Sequence, residues 1–382
     1  MLYAIIVFLL ICCIYVYDIH NYNKSKLLVF YIFIGLLIFL NIFSYKIGGD
    51  TDDYMYYWRE IYRPISSVDL LDEFDYRSNE RPGWIMLSSF LKSVCDDFII
   101  LRVPLALFVN LVVAYFIRQN TKFIFSVLLM YFIAFYFNYN FEILRESISV
   151  SFFLLSYPYY NNKLWLKYFV FFLCAFMFHE SSLVMLIMPL FGLFYNMGNK
   201  MIFVSLLSFY LLLMSIDLVD ILTYVVPDSF SFYMKFMSYM ESETYGVSKV
   251  SNRLLSFLSS FCIPIVAFFI LKSDPKSRKL SLVVLISIIF NSLTSSVNIF
   301  YRFSNYILLP LSIAYVEAIY LVAKKIVLKN SRLFLYIPLL SAYLVYKVYS
   351  VYFSGKPDYM GIRFDERYYP YTFIFDKGKS KW

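Results

Sequence analysis

The sequence predicts an all-α polytopic membrane protein with about a dozen transmembrane helices, on three observations. Of 382 residues, 61% are hydrophobic and only 16% charged, mean hydropathy is +0.67, and apolar runs of span length recur from end to end. Soluble domains are about half apolar and a quarter charged. Long apolar runs satisfy their backbone polar groups in lipid only as helices, since barrel strands alternate.

The runs place spans at 1–18, 27–45, 98–117, 123–138, 142–157, 164–179, 182–195, 201–216, 254–271, 280–296, 302–323 and 333–353, joined by short outer turns near 139–142 and 179–182. The first run has no basic flank or small-residue cleavage site and reads as a retained span. With the 18–27 connection in the cytoplasm, Lys24, Lys26, Arg118, Lys122, Lys163, Lys167, Lys200, Lys272, Lys276, Arg278, Lys279, Lys324, Lys325, Lys329 and Arg332 all fall inside, the positive-inside pattern. Of 26 acidic residues, all but Asp18, Asp274 and Glu317 fall at or beyond the outer surface. No repeat or linker divides residues 1–382, so a single membrane domain is expected, with long outer segments 46–97, 217–253 and 354–382.

Five cysteines without CxxC spacing indicate neither a zinc site nor a disulfide framework. The +8 net charge follows from topology, with no nucleic-acid motif beside it. Nothing in the sequence calls for a cofactor or a metal: phosphate loops, HExxH and GxSxG patterns are absent.

The polar residues of the outer side carry the candidate chemistry. GGDTDDYMYYWREIY sets Asp50, Asp52 and Asp53 beside Tyr54 and Trp58. Carboxylates and flat rings suit sugar hydroxyls and faces, although the Asp residues also fit as caps of a following helix. Glu80 and Arg81 precede Pro82, a helix start at which capping alone accounts for Glu80. In NYNFEILRESISV, Glu142, Arg145, Glu146 and Ser149 make one face of an apolar span polar. Charge there costs about 2.5–3.5 kcal/mol per residue, so such groups face protein or water for a reason. The planar fork of Arg145 suits a diphosphate. His179 and Glu180 stand between two apolar runs, where an imidazole beside a carboxylate serves either as a base or as an interfacial helix cap. Arg253 and Arg302, at outer helix ends, bind a diphosphate or simply snorkel. Glu317, deep in its span, reads as a buried hydrogen-bond partner.

On these residues the chain resembles the EpsG family of bacterial polysaccharide biosynthesis proteins, akin to the Wzy-type O-antigen and capsule polymerases. GGDTDDYMYYW resembles the family's first-loop motif through Asp50 and Tyr54, and ERPGWIMLSSFLK its helix start through Glu80, Gly83 and Trp84. LRESISVSFFLLS resembles the arginine motif through Arg145, with Leu144 and Glu146 where the family has Ile and Gln. FHESSLVMLIMPLF resembles the histidine motif through Phe178, His179 and Ser181, with Ser182 where Ala is common, and the tail YYPYTFIF resembles family tails.

The resemblance implies a membrane glycosyltransferase, with a GT-C-like architecture compatible. Its reaction would be transfer between undecaprenyl-diphosphate-linked oligosaccharides at the outer face of the bacterial inner membrane, building O-antigen, capsule or exopolysaccharide. The expected partners are those lipid-linked units, the lipid bilayer and a chain-length regulator protein. Arg145, His179, Glu142 and Asp50 are the expected catalytic set; Arg302, Arg253, Glu80, Arg81, Asp53, Tyr54, Trp58 and Glu146 are the expected binding set. A flippase for lipid-linked oligosaccharide is the rival from another class, disfavoured because no inverted repeat is visible. An O-antigen ligase is the rival among enzymes.

Overall fold

A computed structural model describes residues 2–65, 70–194, 197–216, 221, 237, 257–326, 332–348, 367–368 and 371–376. Helices dominate, and the described residues contain no strand, only an isolated bridge between Ser44 and Phe373. The chain forms two compact units, residues 1–183 with 329–382, and residues 184–328.

The first unit begins with α1 (Leu2–Cys13), prolonged by a π-helical stretch Ile14–Ile19, and α2 (Lys26–Ile42). The described part of residues 46–97, the first segment expected outside, holds three helices: α3 (Thr51–Tyr56), running on as Tyr57–Ile61, α4 (Leu70–Tyr76) and α5 (Pro82–Val94). Then come α6 (Ile99–Asn120), α7 (Ile124–Tyr131), α8 (Leu144–Asn161) and α9 (Trp165–Phe176). The second unit holds α10 (Val184–Phe194), α11 (Asn199–Ser215), α12 (Ile263–Ser273), α13 (Arg278–Ser296) and α14 (Tyr301–Ile326), with α13 against α11, α12 and α14. There Glu317 accepts a hydrogen bond from Ser277 at 3.3 Å. The first unit resumes with α15 (Arg332–Val348), whose Tyr336 donates to Ser126 Oγ at 2.9 Å.

Among the described residues, four stretches, Leu2–Ile19, Ile99–Asn120, Arg278–Ser296 and Asn298–Lys325, are long and apolar enough to cross a membrane, and six further apolar helices are shorter. The outer turn expected near 139–142 takes a different form. Phe132–Tyr136 and Asn138–Glu142 are π-helical, and the helix breaks only at Ile143 (φ −101°, ψ 49°) before α8 begins.

A buried amide network gives the reason. Asn140 Oδ1 accepts from Asn41 (2.6 Å) and Asn110 (2.7 Å), while Asn140 Nδ2 donates to Tyr131 (3.0 Å), whose hydroxyl donates to Asn110 (2.9 Å). Widening the helix turns Asn140 toward α2 and α6, where each amide finds partners in an apolar interior. The same turn fixes where Glu142 emerges.

The ends of this unit differ in charge. At one, Lys26 pairs with Asp18 (3.1 Å) and donates to Lys122 O (2.7 Å), and Asp18 accepts the Ser126 N–H (2.7 Å) at the start of α7. There a carboxylate meets a helix N-terminus. The opposite end gathers residues 43–49, 142–145, 177–180, 367–368 and 371–374.

Candidate functional site

The turn before α3 sets the first carboxylates. Gly48 has φ +94°, and a Cβ on it would lie 2.7 Å from Phe141 Cβ, so only glycine lets the loop approach this closely. That approach aims the Gly49 N–H at Glu142 Oε1 (2.7 Å). Tyr368 donates to the same oxygen at 2.7 Å, Arg367 Nη1 stands 3.8 Å from Oε2, and Arg367 O accepts the Gly48 N–H at 3.1 Å. Arg367 and Tyr368 thus lie against the loop and hold the Glu142 carboxylate.

Asp50 occupies the cap position of α3 but makes no side-chain cap bond, so capping does not explain it. Asp50 is more than one-third exposed, yet the protein packed around its carboxyl, then the Glu142 and Asp53 carboxylates, push that group up to about 7, against the pull of Arg367 and Arg145. Asp52 pairs with Lys46 at 3.7 Å, and Asp53 is exposed.

Glu80 likewise caps nothing; Arg81 holds the cap position of α5, with Pro82 opening the helix. Its carboxylate instead ends an alternating chain of charge. Arg77 donates to Glu73 (3.3 Å) and through Nε to Glu80 Oε2 (2.8 Å), and Arg145 Nη1 stands 3.5 Å from Glu80 Oε1. The Arg77 guanidinium, buried, also lies 3.9 Å over the Tyr62 ring. Arg145, at the start of α8, is one-third exposed and hydrogen-bonds the Tyr54 hydroxyl. Burial pushes that phenol up to about 12, so it stays neutral.

Tyr54 and Trp58 do not offer their rings to a sugar: they are buried with Tyr62, Trp84, Leu101 and Leu144 in one cluster. The flanking rings of Tyr56 and Tyr57 are the exposed ones.

The histidine segment docks on the same helix start. The Gly83 N–H donates to Met177 O at 2.8 Å, and a Cβ on Gly83 would lie 2.7 Å from that oxygen. Arg81 Nε donates to Glu180 at 3.0 Å and its guanidinium covers the Phe176 ring at 4.5 Å. His179 Nδ1 accepts the Ser181 N–H at 3.1 Å, with Ser181 Oγ 2.6 Å away. A neutral ring with Nδ1 so engaged carries its proton on Nε2 and presents a donor.

Asp50, Glu142, Arg145, Glu80, Arg81 and His179 are therefore brought to one end of the first unit through these bonds, with Glu146 buried one residue beyond Arg145. Arg302 belongs to the second unit. Arg253 lies outside the described residues, as do most of 217–253 and of the 354–382 tail. Sequence reasoning passed over Arg77, Arg367 and Tyr368. Arg77 lies three residues before Glu80, Tyr368 is the first residue of the tail motif and Arg367 directly precedes it.

Apolar helices surrounding a charged, carboxylate- and guanidinium-bearing end define a helical membrane protein. Residues 27–373 match the EpsG family, and the chain belongs to that family, which is associated with polysaccharide polymerisation. No curated protein and no solved structure matches the chain significantly.

Proposed function

We propose that the protein is a polysaccharide polymerase of the bacterial inner membrane with about a dozen spans. It would join undecaprenyl-diphosphate-linked oligosaccharide repeat units at the outer face, extending an O-antigen, capsule or exopolysaccharide. The observation that carries this reading is Arg145: a guanidinium at the mouth of an apolar helix, held by Glu80 and Tyr54 yet one-third exposed. A cation preorganised at such a site stabilises charge as it develops, without having to reorient.

In the reaction, an acceptor hydroxyl oxygen attacks the anomeric carbon of the donor glycan. The bond from that carbon to the diphosphate oxygen breaks, and the diphosphate departs with the electron pair. Asp50, with a carboxyl titrating near 7, takes the hydroxyl proton, since a base works best with a pKa near the working pH. Arg145 offsets the charge on the departing diphosphate. His179, a donor at Nε2, suits a hydrogen bond to phosphate or glycan oxygen, and the base role, expected of His179 or an outer carboxylate, is given to Asp50. A chain-length regulator is the protein's proposed partner.

Deleting the gene and resolving the extracted glycans by gel tests the reading. Single repeat units capping the lipid, in place of a ladder, support a polymerase; an unchanged ladder refutes it, and lipid-linked units held inside the cell point to a flippase.

A further inference from the structure

A second polar hollow opens at the same end of the first unit, away from the Arg145 contacts. It is a cleft of about 200 Å³ between the end of α2, the start of α6 and the tail, lined by Tyr45, Trp58, Arg59, Phe98, Arg102 and Ile374 among others. Arg102 is its deepest charge, only 7% exposed. Its Nη1 donates to Ser44 O and to Ser44 Oγ (2.6 Å), and its guanidinium lies 5.2 Å from the centre of the Phe98 ring. Among the described residues no carboxylate comes within ion-pair distance of it. The two acidic groups on the rim are engaged elsewhere: Asp96 pairs with Lys92 at 2.6 Å, and Asp97 accepts the Ile99 N–H at 3.0 Å where α6 begins.

A buried guanidinium held, among the described residues, by a neutral serine and an aromatic ring is costly unless an anion completes it. The rest of the hollow describes that anion. Of the charges lining it, Arg59 and Arg102 stand against Asp96 and Asp97, and Asp96 is already neutralised by Lys92 outside the lining, so about one positive charge remains, enough for one carboxylate and too little for a diphosphate, which the aspartates would also repel. Rim carboxylates accept hydroxyl donors, and the lining of Tyr45, Phe98 and Ile374 offers apolar surface to the face of a ring. The volume suits one sugar ring.

We infer that the Arg102 cleft binds an acidic sugar of the uronate type, its carboxylate on the Arg102 fork and its hydroxyls on Asp96 and Asp97. The inference rests on the proposed glycan substrate and names its class: a repeat unit bearing a carboxylate.

Thermal unfolding of the full chain in detergent, with glucuronate, glucose or pyrophosphate added at equal ionic strength, tests this. Glucuronate at ten times its Kd should raise the midpoint by about 2–4 °C in the wild type and in R145Q, and leave R102Q unmoved. Glucose should have less effect, and the response to pyrophosphate should survive in R102Q. No glucuronate shift in the wild type, or an undiminished one in R102Q, overturns the proposal. If R102Q does not fold, R59Q on the exposed rim serves instead: its shift should fall by at least half, and an unchanged one is contrary. A ladder that depends on the gene without any glucuronate shift sinks this proposal alone, whereas an Arg102-dependent shift with an unchanged ladder sinks only the polymerase reading.

Discussion

Arg145 and Glu80 face each other across 3.5 Å, one from the first turn of α8 and the other from the residue pair that opens α5. Glu80 also serves Arg77 and accepts from Tyr62 at 3.3 Å, so it is the shared node of the cluster, and Arg145 its outward end. The two positions should respond differently to substitution. Arg145→Gln breaks a pair that is one-third exposed on the arginine side, worth about 1 kcal/mol or less. Glu80→Gln also strips a buried arginine and should cost about 1–3 kcal/mol more. Thermal unfolding of the detergent-purified variants reads the difference; equal losses would contradict the shared-node picture.

Asp50 gives a pH dependence. Its carboxyl is raised from 3.8 to about 7 in the folded chain, so the native state holds a proton that the unfolded state releases. Stability from this group is present below about 4, falls as pH rises toward 7 and is flat above. Asp50→Asn should therefore unfold at a higher temperature than wild type at pH 8 and at the same temperature near pH 3.5. The same variant should lose activity, and the wild-type rate should climb as pH rises through about 7. A rate independent of pH across that range removes Asp50 as the base.

Gly83 lets the helix start meet the histidine segment. Gly83→Ala places a methyl 2.7 Å from Met177 O, which forces the two segments apart and should cost about 1–3 kcal/mol. Loss of the Arg81–Glu180 pairing should follow, read as R81A having no additional effect in the G83A background. An additive effect would show that the two contacts are independent.

Tyr368 ties the tail to the site. Tyr368→Phe leaves its ring in place but removes a hydroxyl donor from a buried carboxylate, a loss of about 1–3 kcal/mol. Limited proteolysis should then cleave the tail faster than in wild type; an unchanged rate would mean that this bond does not hold the tail.

Helices were legible because apolar runs in lipid leave the backbone little choice, and most predicted spans overlap an observed helix, as 27–45 does with Lys26–Ile42. The π-helical passage at 138–142 was not legible. It depends on amides at Asn41, Asn110 and Asn140, far apart in sequence, finding one another in the interior. For the site, charge stranded in apolar surroundings marked Arg145 and Glu142. Partnership was invisible, because a residue such as Glu80 looks like a cap until Arg77 and Arg145 are seen beside it. Aromatic residues misled in the other direction: a Tyr or Trp in a polar loop sequence suggests a sugar platform, yet Tyr54 and Trp58 are buried as the core beneath the loop.

Charge neutralisation by Arg145 is the centre of the proposed mechanism. The most direct measurement complements a gene-deletion strain with wild type or Arg145→Ala, matched for membrane protein by immunoblot, and resolves the glycan ladder. Wild type should restore long chains, while Arg145→Ala should leave single repeat units, as expected for loss of a transition-state donor worth about 10²–10³ in rate. A full ladder from Arg145→Ala at equal protein level would contradict the mechanism.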